Sequence, residues 1–220
     1  MAARRSEADL PLFREKRVND PKRAIGLLAA EAADCTRCPL YKNATQTVFG
    51  EGAADAALML IGEQPGDQED LQGRPFVGPA GKVLDRALVA AALDRGEIYI
   101  TNAVKHFKNE PRGKRRLHTK PDTGEIDACR WWLGNELEIV QPAVAVALGA
   151  TAARGLFHKT VGINANRGRL IALPGGGQGV ITVHPSYLLR LQEEHDKRRE
   201  FDRLVKDLRF AAEAARKARR

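Results

Sequence analysis

The chain reads as an α/β protein with three layers, α/β/α, built around a central, mostly parallel sheet of four to five strands. Two observations lead there. Short continuous apolar runs, 56–62 (Ala-Ala-Leu-Met-Leu-Ile-Gly) and 143–149 (Ala-Val-Ala-Val-Ala-Leu-Gly), have the character of strands buried on both faces, and each ends in glycine. Stretches of helical periodicity lie between the strands, an alternation that builds a parallel sheet covered on both sides. With 220 residues, 43% of them hydrophobic, there is apolar material for one core, and a single domain over 1–220 is expected.

The elements follow in order. Segment 21–33 has helical spacing after a proline suited to a first turn, and it delivers the chain to Cys35 and Cys38, so that 21–40 forms an N-terminal helix with candidate ligands. Strand 56–62 runs into a polar, Gly/Pro-rich loop, 63–78, and 81–93 is helical. Segment 97–104 alternates like a strand, 108–121 is a basic loop insertion, and 125–140 is helical again. Strand 143–149 passes directly into a helix at 150–157. Strands are expected at 169–173 and 179–183, and a charged helix, 191–218, closes the chain with Phe201, Leu204, Val205 and Leu208 on one face. No repeat or second domain is visible.

Charge is the next constraint. The 36 Lys and Arg exceed the 28 Asp and Glu by eight, a balance that favours an anionic partner. It is densest in Arg112-Gly-Lys-Arg-Arg-Leu-His-Thr-Lys120, where Arg112, Lys114, Arg115, Arg116 and Lys120 surround His118 with no acid among them. Such a loop seeks polyanions, and His118 is its one residue able to exchange protons or attack carbon near neutral pH. No apolar run reaches the length of a membrane span, and the first residues lack the apolar core of a secretory signal. A cytoplasmic protein without a membrane partner is therefore expected. Three cysteines cannot all pair with one another, and Cys35-Thr-Arg-Cys38 is a spacing used by metals as much as by disulfides; the cysteines read as ligands.

In sheets of this kind chemistry sits beyond the carboxyl ends of the strands. The carboxyl ends of 56–62, 97–104 and 179–183 and the loops that leave them carry Glu63, Asn102 and His184. Taken singly these are a solvated loop acid, a turn former and a strand terminator. Their joint occurrence at three strand ends points to one pocket with the basic loop at its rim.

The residues around these ends carry a resemblance. Gly62-Glu63-Gln64-Pro65-Gly66, the run from Gly73 through Phe76 to Gly81, Thr101-Asn102-Ala-Val-Lys105 and His184-Pro185-Ser186 resemble, in order and spacing, the motifs of the family-4 iron-sulfur uracil-DNA glycosylases. The insertion ending in His118 resembles the basic loop of the X class of uracil-DNA glycosylases, with Leu117 where that class usually has isoleucine. The resemblance implies excision of uracil from DNA, with His118 becoming covalently joined to the abasic sugar so that the enzyme stays on its product. It also implies a [4Fe-4S] cluster on Cys35, Cys38, Cys129 and His106, the last in a slot that holds cysteine in family 4. Zinc accepts the same ligands, and spacing does not separate the two metals.

The chemistry of these residues suits that reading. A protein acting on a base must extrude it, hold its face and read its edge. Phe76 is the natural stacking platform. The Asn102 amide offers a donor and an acceptor that match O4 and N3–H of uracil and mismatch cytosine. Gly62, Gln64 and Asp67 complete the expected substrate-binding set, and exclusion of thymine falls to Glu63, Gln64 or the loop near Asp67. His184 would donate a hydrogen bond to the departing uracil, while Glu63 orients His118. Arg112, Lys114, Arg115, Arg116, Lys120 and Ser186 are the expected DNA contacts. Leu188 or Leu189 is a candidate wedge into the stack, whereas His158 and His195 read as surface residues. Single-stranded uracil-containing DNA is the expected preferred partner, because an unpaired base costs less to extrude, and a monomer with no obligate protein partner is expected.

Overall fold

The computed structural model describes residues 20–113 and 115–219; Lys114 of the basic insertion lies outside them. Helix α1 (Pro21–Ala33) opens with Asp20, whose carboxylate accepts the N–H groups of Lys22 and Arg23 at 3.0 and 3.3 Å. Strands β1 (Glu51–Gly52) and β2 (Leu58–Gly62) are followed by α2 (Asp67–Gln72), α3 (Pro79–Ala90) and β3 (Tyr99–Asn102). A hairpin of β4 (Asn109–Arg112) and β5 (Arg115–His118) precedes α4 (Thr123–Val140). Then come β6 (Val144–Leu148), α5 (Ala150–Phe157), the short α6 (Ile163–Asn166), β7 (Ile171–Ala172), β8 (Gln178–Thr182), α7 (Pro185–Arg190) and α8 (Glu194–Ala218).

The main sheet has six strands in the order β1-β3-β2-β6-β8-β7, against the four to five expected, because the two-residue edge strand β1 is too short to carry an apolar pattern. Its four central strands are parallel, and β1 and β7 pair antiparallel at the edges. Alternating side chains feed two cores. Leu58 and Leu60 of β2 join Val144 and Val146 of β6 against Leu84 and Leu88 of α3 and Leu204 and Leu208 of α8. Met59 and Ile61 join Ala145 and Ala147 against Leu133 of α4 and Ala152, Leu156 and Phe157 of α5. These are the expected three layers. Among the described residues, no helix is long and apolar enough to cross a membrane.

Strand order positions the site. From β2 the chain moves outward to β3 through α3 on one face, then returns to β6 and leaves it through α5 on the other face. The crevice between the carboxyl ends of β2 and β6 is thus a switch point, the usual ligand position in an open α/β sheet. Parallel pairing also levels the strand ends, since Gly62 lies beside Asn102, and Leu148 beside Thr182.

Three segments differ from the sequence expectation. The insertion 108–121 forms a two-stranded hairpin, with Gly113 in the left-handed region at φ 59° between the paired Arg112 and Arg115. Of its strand residues only Asn109 is buried and Arg116 half-buried, so no alternation marked it. The polar loop 63–78 contains α2, held by acids turned inward: Glu69 accepts the N–H of Gly66 at 3.1 Å and of Gly78 at 2.7 Å, and buried Asp70 accepts that of Thr45 at 3.0 Å. The closing helix expected over 191–218 starts at Glu194, and a separate short helix, α7, precedes it.

Candidate active site

Glu63, Asn102, Phe76, His118 and His184 line one cleft of about 1400 Å³, together with Gln64, Asp67 and Lys120. The sheet brings the first pieces together. Buried Asn102 ends β3, and its side chain shares a confined space with Phe76: a methyl group on Gly62 would stand 2.3 Å from Asn102 Oδ1 and 2.5 Å from Phe76 Cζ. Only glycine fits there. Phe76 itself holds a left-handed backbone, φ 56°, and its ring tilts against that of His184 at 5.8 Å between centroids. A non-glycine residue in this conformation costs about 1–2 kcal/mol, which the surrounding packing must offset.

Glu63 follows β2 directly, and its carbonyl accepts the Val104 N–H at 3.0 Å. Its carboxylate divides between two partners. Oε2 accepts the Thr151 hydroxyl at 2.5 Å, and Oε1 lies 3.4 Å from His118 Nε2. Burial alone would push this acid up, but the contacts with His118 and Thr151 and the nearby His184 ring prevail and hold it below its usual value.

His184 follows β8 and caps α7. Its Nδ1 accepts the Ser186 N–H at 3.2 Å and lies 2.8 Å from Ser186 Oγ. Burial pushes the imidazole down to about 4, aided by Arg190 and opposed by Glu63, so the ring is neutral at pH 7. With Nδ1 accepting, the proton of the neutral ring sits on Nε2. Ser186, expected at a phosphate, is bonded to this histidine.

His118 has a different support. It ends β5, paired with Asn109, and half of its side chain is exposed. Two side chains clamp the hairpin to the body. Buried Gln64 donates to Thr119 O at 3.0 Å and accepts the Lys108 N–H at 3.0 Å, so its amide is spent on the hairpin base and not left open for a substrate edge. Arg116 pairs with Asp67 at 2.7 Å and with buried Asp70 at 2.5 Å, donates to Thr45 Oγ1 at 3.0 Å and lies over Phe107. Arg116, expected at a phosphate, and Asp67, expected at the substrate, are thus paired with each other within the protein. Arg112, Arg115 and Lys120 are exposed. Of the two wedge candidates, Leu188 is buried in the core while Leu189 is half exposed in the cleft.

Sequence reasoning missed a fourth strand end. After β6, Gly149 at φ 93° lets the chain turn against His184, where a methyl group would stand 3.1 Å from His184 Cβ. Two residues later α5 presents Thr151, buried, to Glu63. A glycine-ended strand passing directly into a helix with threonine in its first turn was the available signal. A buried ion pair also went unnoticed. Lys105 Nζ lies 2.5 Å from Glu136 Oε2, both fully buried, and donates to Asn102 O at 2.8 Å; Glu136 further accepts from Tyr99, Thr101 and Gly50.

The cysteines meet on the far side of this pair. Cys35, Cys38, Cys129 and His106 are all buried, with Trp132 Nε1 donating to Cys35 Sγ at 3.1 Å. The Cys129 thiol draws Cys38 down to about 4, against burial and with His106 helping, while Cys129 itself is pushed up. His106 Nε2 meets Thr47 Oγ1 at 3.1 Å, and its buried Nδ1 has no hydrogen-bond partner among the described residues. Among the described residues no three His, Cys, Asp or Glu side chains are placed to hold a single metal ion. Three thiols and an orphaned imidazole nitrogen in one apolar pocket nonetheless suit a larger thiolate-bound group in donor type and burial.

Comparison with known proteins agrees with this geometry. The profile of the Uracil DNA glycosylase superfamily matches residues 49–209. A Type-4 uracil-DNA glycosylase of Thermotoga maritima is 41% identical over 165 residues, 74% of this chain and 82% of that protein. Its namesake in Archaeoglobus fulgidus is 34% identical over 179 residues, 77% and 86% of the two chains. A DNA polymerase of Bacillus phage SP01 is 29% identical over 148 residues, 67% of this chain but 15% of its own length. On the match to this family profile and to these relatives, the chain belongs to the uracil-DNA glycosylase superfamily.

Proposed function

We propose that this protein is a uracil-DNA glycosylase that excises uracil from DNA and is then held on its product by a covalent bond from His118, as in the X class. The observation that carries the reading is the contact of His118 Nε2 with Glu63 Oε1, which sets a nucleophilic imidazole beside an ionised carboxylate at the mouth of the Phe76, Asn102 and His184 pocket. Uracil, flipped from the strand, stacks on Phe76 and is read by the Asn102 amide, its donor and acceptor matching N3–H and O4. When the N-glycosidic bond breaks, the bonding electrons leave with uracil, and the Nε2–H of neutral His184 stabilises the resulting anion. Preorganised donors of this sort are worth about 2.7–4 kcal/mol. Glu63 stabilises the sugar cation by its charge. The unprotonated nitrogen of the neutral His118 imidazole then bonds C1′, and the single proton on the opposite ring nitrogen passes to Glu63 or solvent. The product is a neutral N-glycosyl imidazole, a poor leaving group, so the adduct persists.

A [4Fe-4S] cluster on Cys35, Cys38, Cys129 and His106 belongs to the same reading, supported by the donor set and its burial. When bound it would tie α1, the segment after β3 and α4 into one unit. The strand path is proposed to cross Arg112, Arg115 and Lys120, with Leu189 filling the gap left by the flipped base and with single strands preferred, and the protein is proposed to act as a monomer. The test is a denaturing gel with single-stranded uracil-containing DNA. A shifted band together with released uracil supports the proposal. Released uracil with no shifted band would reduce the protein to a turnover glycosylase, and neither would leave only a DNA-binding module. Aerobically purified protein that is colourless and contains zinc would refute the cluster.

A further inference from the structure

We propose that Thr151 is the positioning residue of the reaction, fixing the Glu63 carboxylate so that one oxygen is occupied and the other faces His118. The inference rests on the role given to Glu63 above. Three observations carry it. Thr151 Oγ1 donates to Glu63 Oε2 at 2.5 Å, the short range of a hydroxyl on an ionised carboxylate. Thr151 is buried and stands in the first turn of α5, where the N-terminal end of the helix favours an anion. It also comes from the other side of the switch point: Glu63 leaves β2, Thr151 follows β6, and the two strands are adjacent in the sheet. The hydroxyl therefore links the two strand ends that flank the switch point.

The consequence is orientational. A glutamate side chain has three rotatable bonds, and with Oε2 held its remaining freedom is small, so Oε1 stays directed at His118. The titratable groups facing Glu63 are His118 from the hairpin and His184 from the loop after β8. Without the hydroxyl, Glu63 would be freer to rotate and easier to protonate, and both cation stabilisation and proton removal from His118 would suffer.

The test compares Thr151→Val with Thr151→Ser, using single-turnover uracil release, the fraction of DNA in adduct, and the pH profile of release. Thr151→Val should slow release about tenfold or more, the effect expected for one hydrogen bond to a charged group, and should move the acid limb of the profile to higher pH. Thr151→Ser should restore both. If Thr151→Val does not fold, Thr151→Ala is read the same way. Release and adduct at the unmodified rate would overturn the proposal, as would slow release with an unmoved acid limb or without rescue by serine, since a packing role gives that pattern. Glu63→Gln separates the two levels. Normal release and adduct in Glu63→Gln would remove the role of Glu63 itself, whereas a defect there combined with a silent Thr151→Val would overturn only the positioning role.

Discussion

His184 and His118 face the same carboxylate from opposite kinds of support. His184 sits at the end of a central strand, neutral through burial, its Nδ1 committed to Ser186. His118 sits at the end of a two-stranded ribbon, half exposed, held through Gln64 and Arg116. The difference teaches how the two proposed tasks divide. A donor to a developing anion works best fixed and dry, where its dipole needs no reorganisation. A group that must reach a sugar on a bound strand gains from a support that approaches from outside the sheet.

Breaking each half separately should have different signatures. The largest effect is expected for His118→Gly: the covalent band on a denaturing gel disappears, and uracil release proceeds through multiple turnovers. An intact adduct in that variant would sink the trapping mechanism. His184→Ala should slow single-turnover release about 100- to 1000-fold while leaving the binding of uracil-free DNA unchanged, measured by rapid quench and by anisotropy. Arg116→Ala should act on the ribbon alone. Loss of its tether to Asp67 and Asp70 should lower the adduct formed per uracil released about tenfold, with a smaller change in release itself. A parallel fall in both quantities would mean that hairpin and pocket are one unit.

The smallest effect is a pH dependence of stability. The folded-state pKa of His184 lies at about 4, below the usual 6.5, so its protonation favours the unfolded chain. This contribution is complete above pH 6.5 and is lost as pH falls from 6.5 toward 4, amounting to at most about 3 kcal/mol. Glu63, also held low, loses its contribution in the same direction at lower pH. Denaturant melts of the parent protein and His184→Gln at pH 5 and 7 should show the parent losing more stability. Equal losses would place the titration elsewhere.

The fold was legible because buried parallel strands must be apolar throughout: 56–62 and 143–149 were identified within two residues of β2 and β6. Glu63, Asn102 and His184 were legible for a related reason, because strand ends in such a sheet converge. The hairpin was not, since β4 and β5 pair through the backbone and their side chains do not alternate between buried and exposed. The roles of Gln64, Arg116 and Thr151 were also hidden. Each depends on a partner distant in the chain, Thr151 standing 88 residues from Glu63, and nothing local announces such a contact. Composition made Arg116 look like one more phosphate contact, and only the inward-turned acids of α2 reveal it as a tether.

Among the described residues, the hairpin pairs with itself and with no strand of the main sheet. In engineering terms it is a cassette: under the proposed function, base recognition would be written in the sheet and the fate of the sugar in the ribbon, with a small set of fasteners joining them. Transplanting residues 108–119 into a turnover relative should therefore require Gln64, Asp67 and Asp70 to travel as well, because the ribbon without its sockets has nothing to hold His118 at the carboxylate.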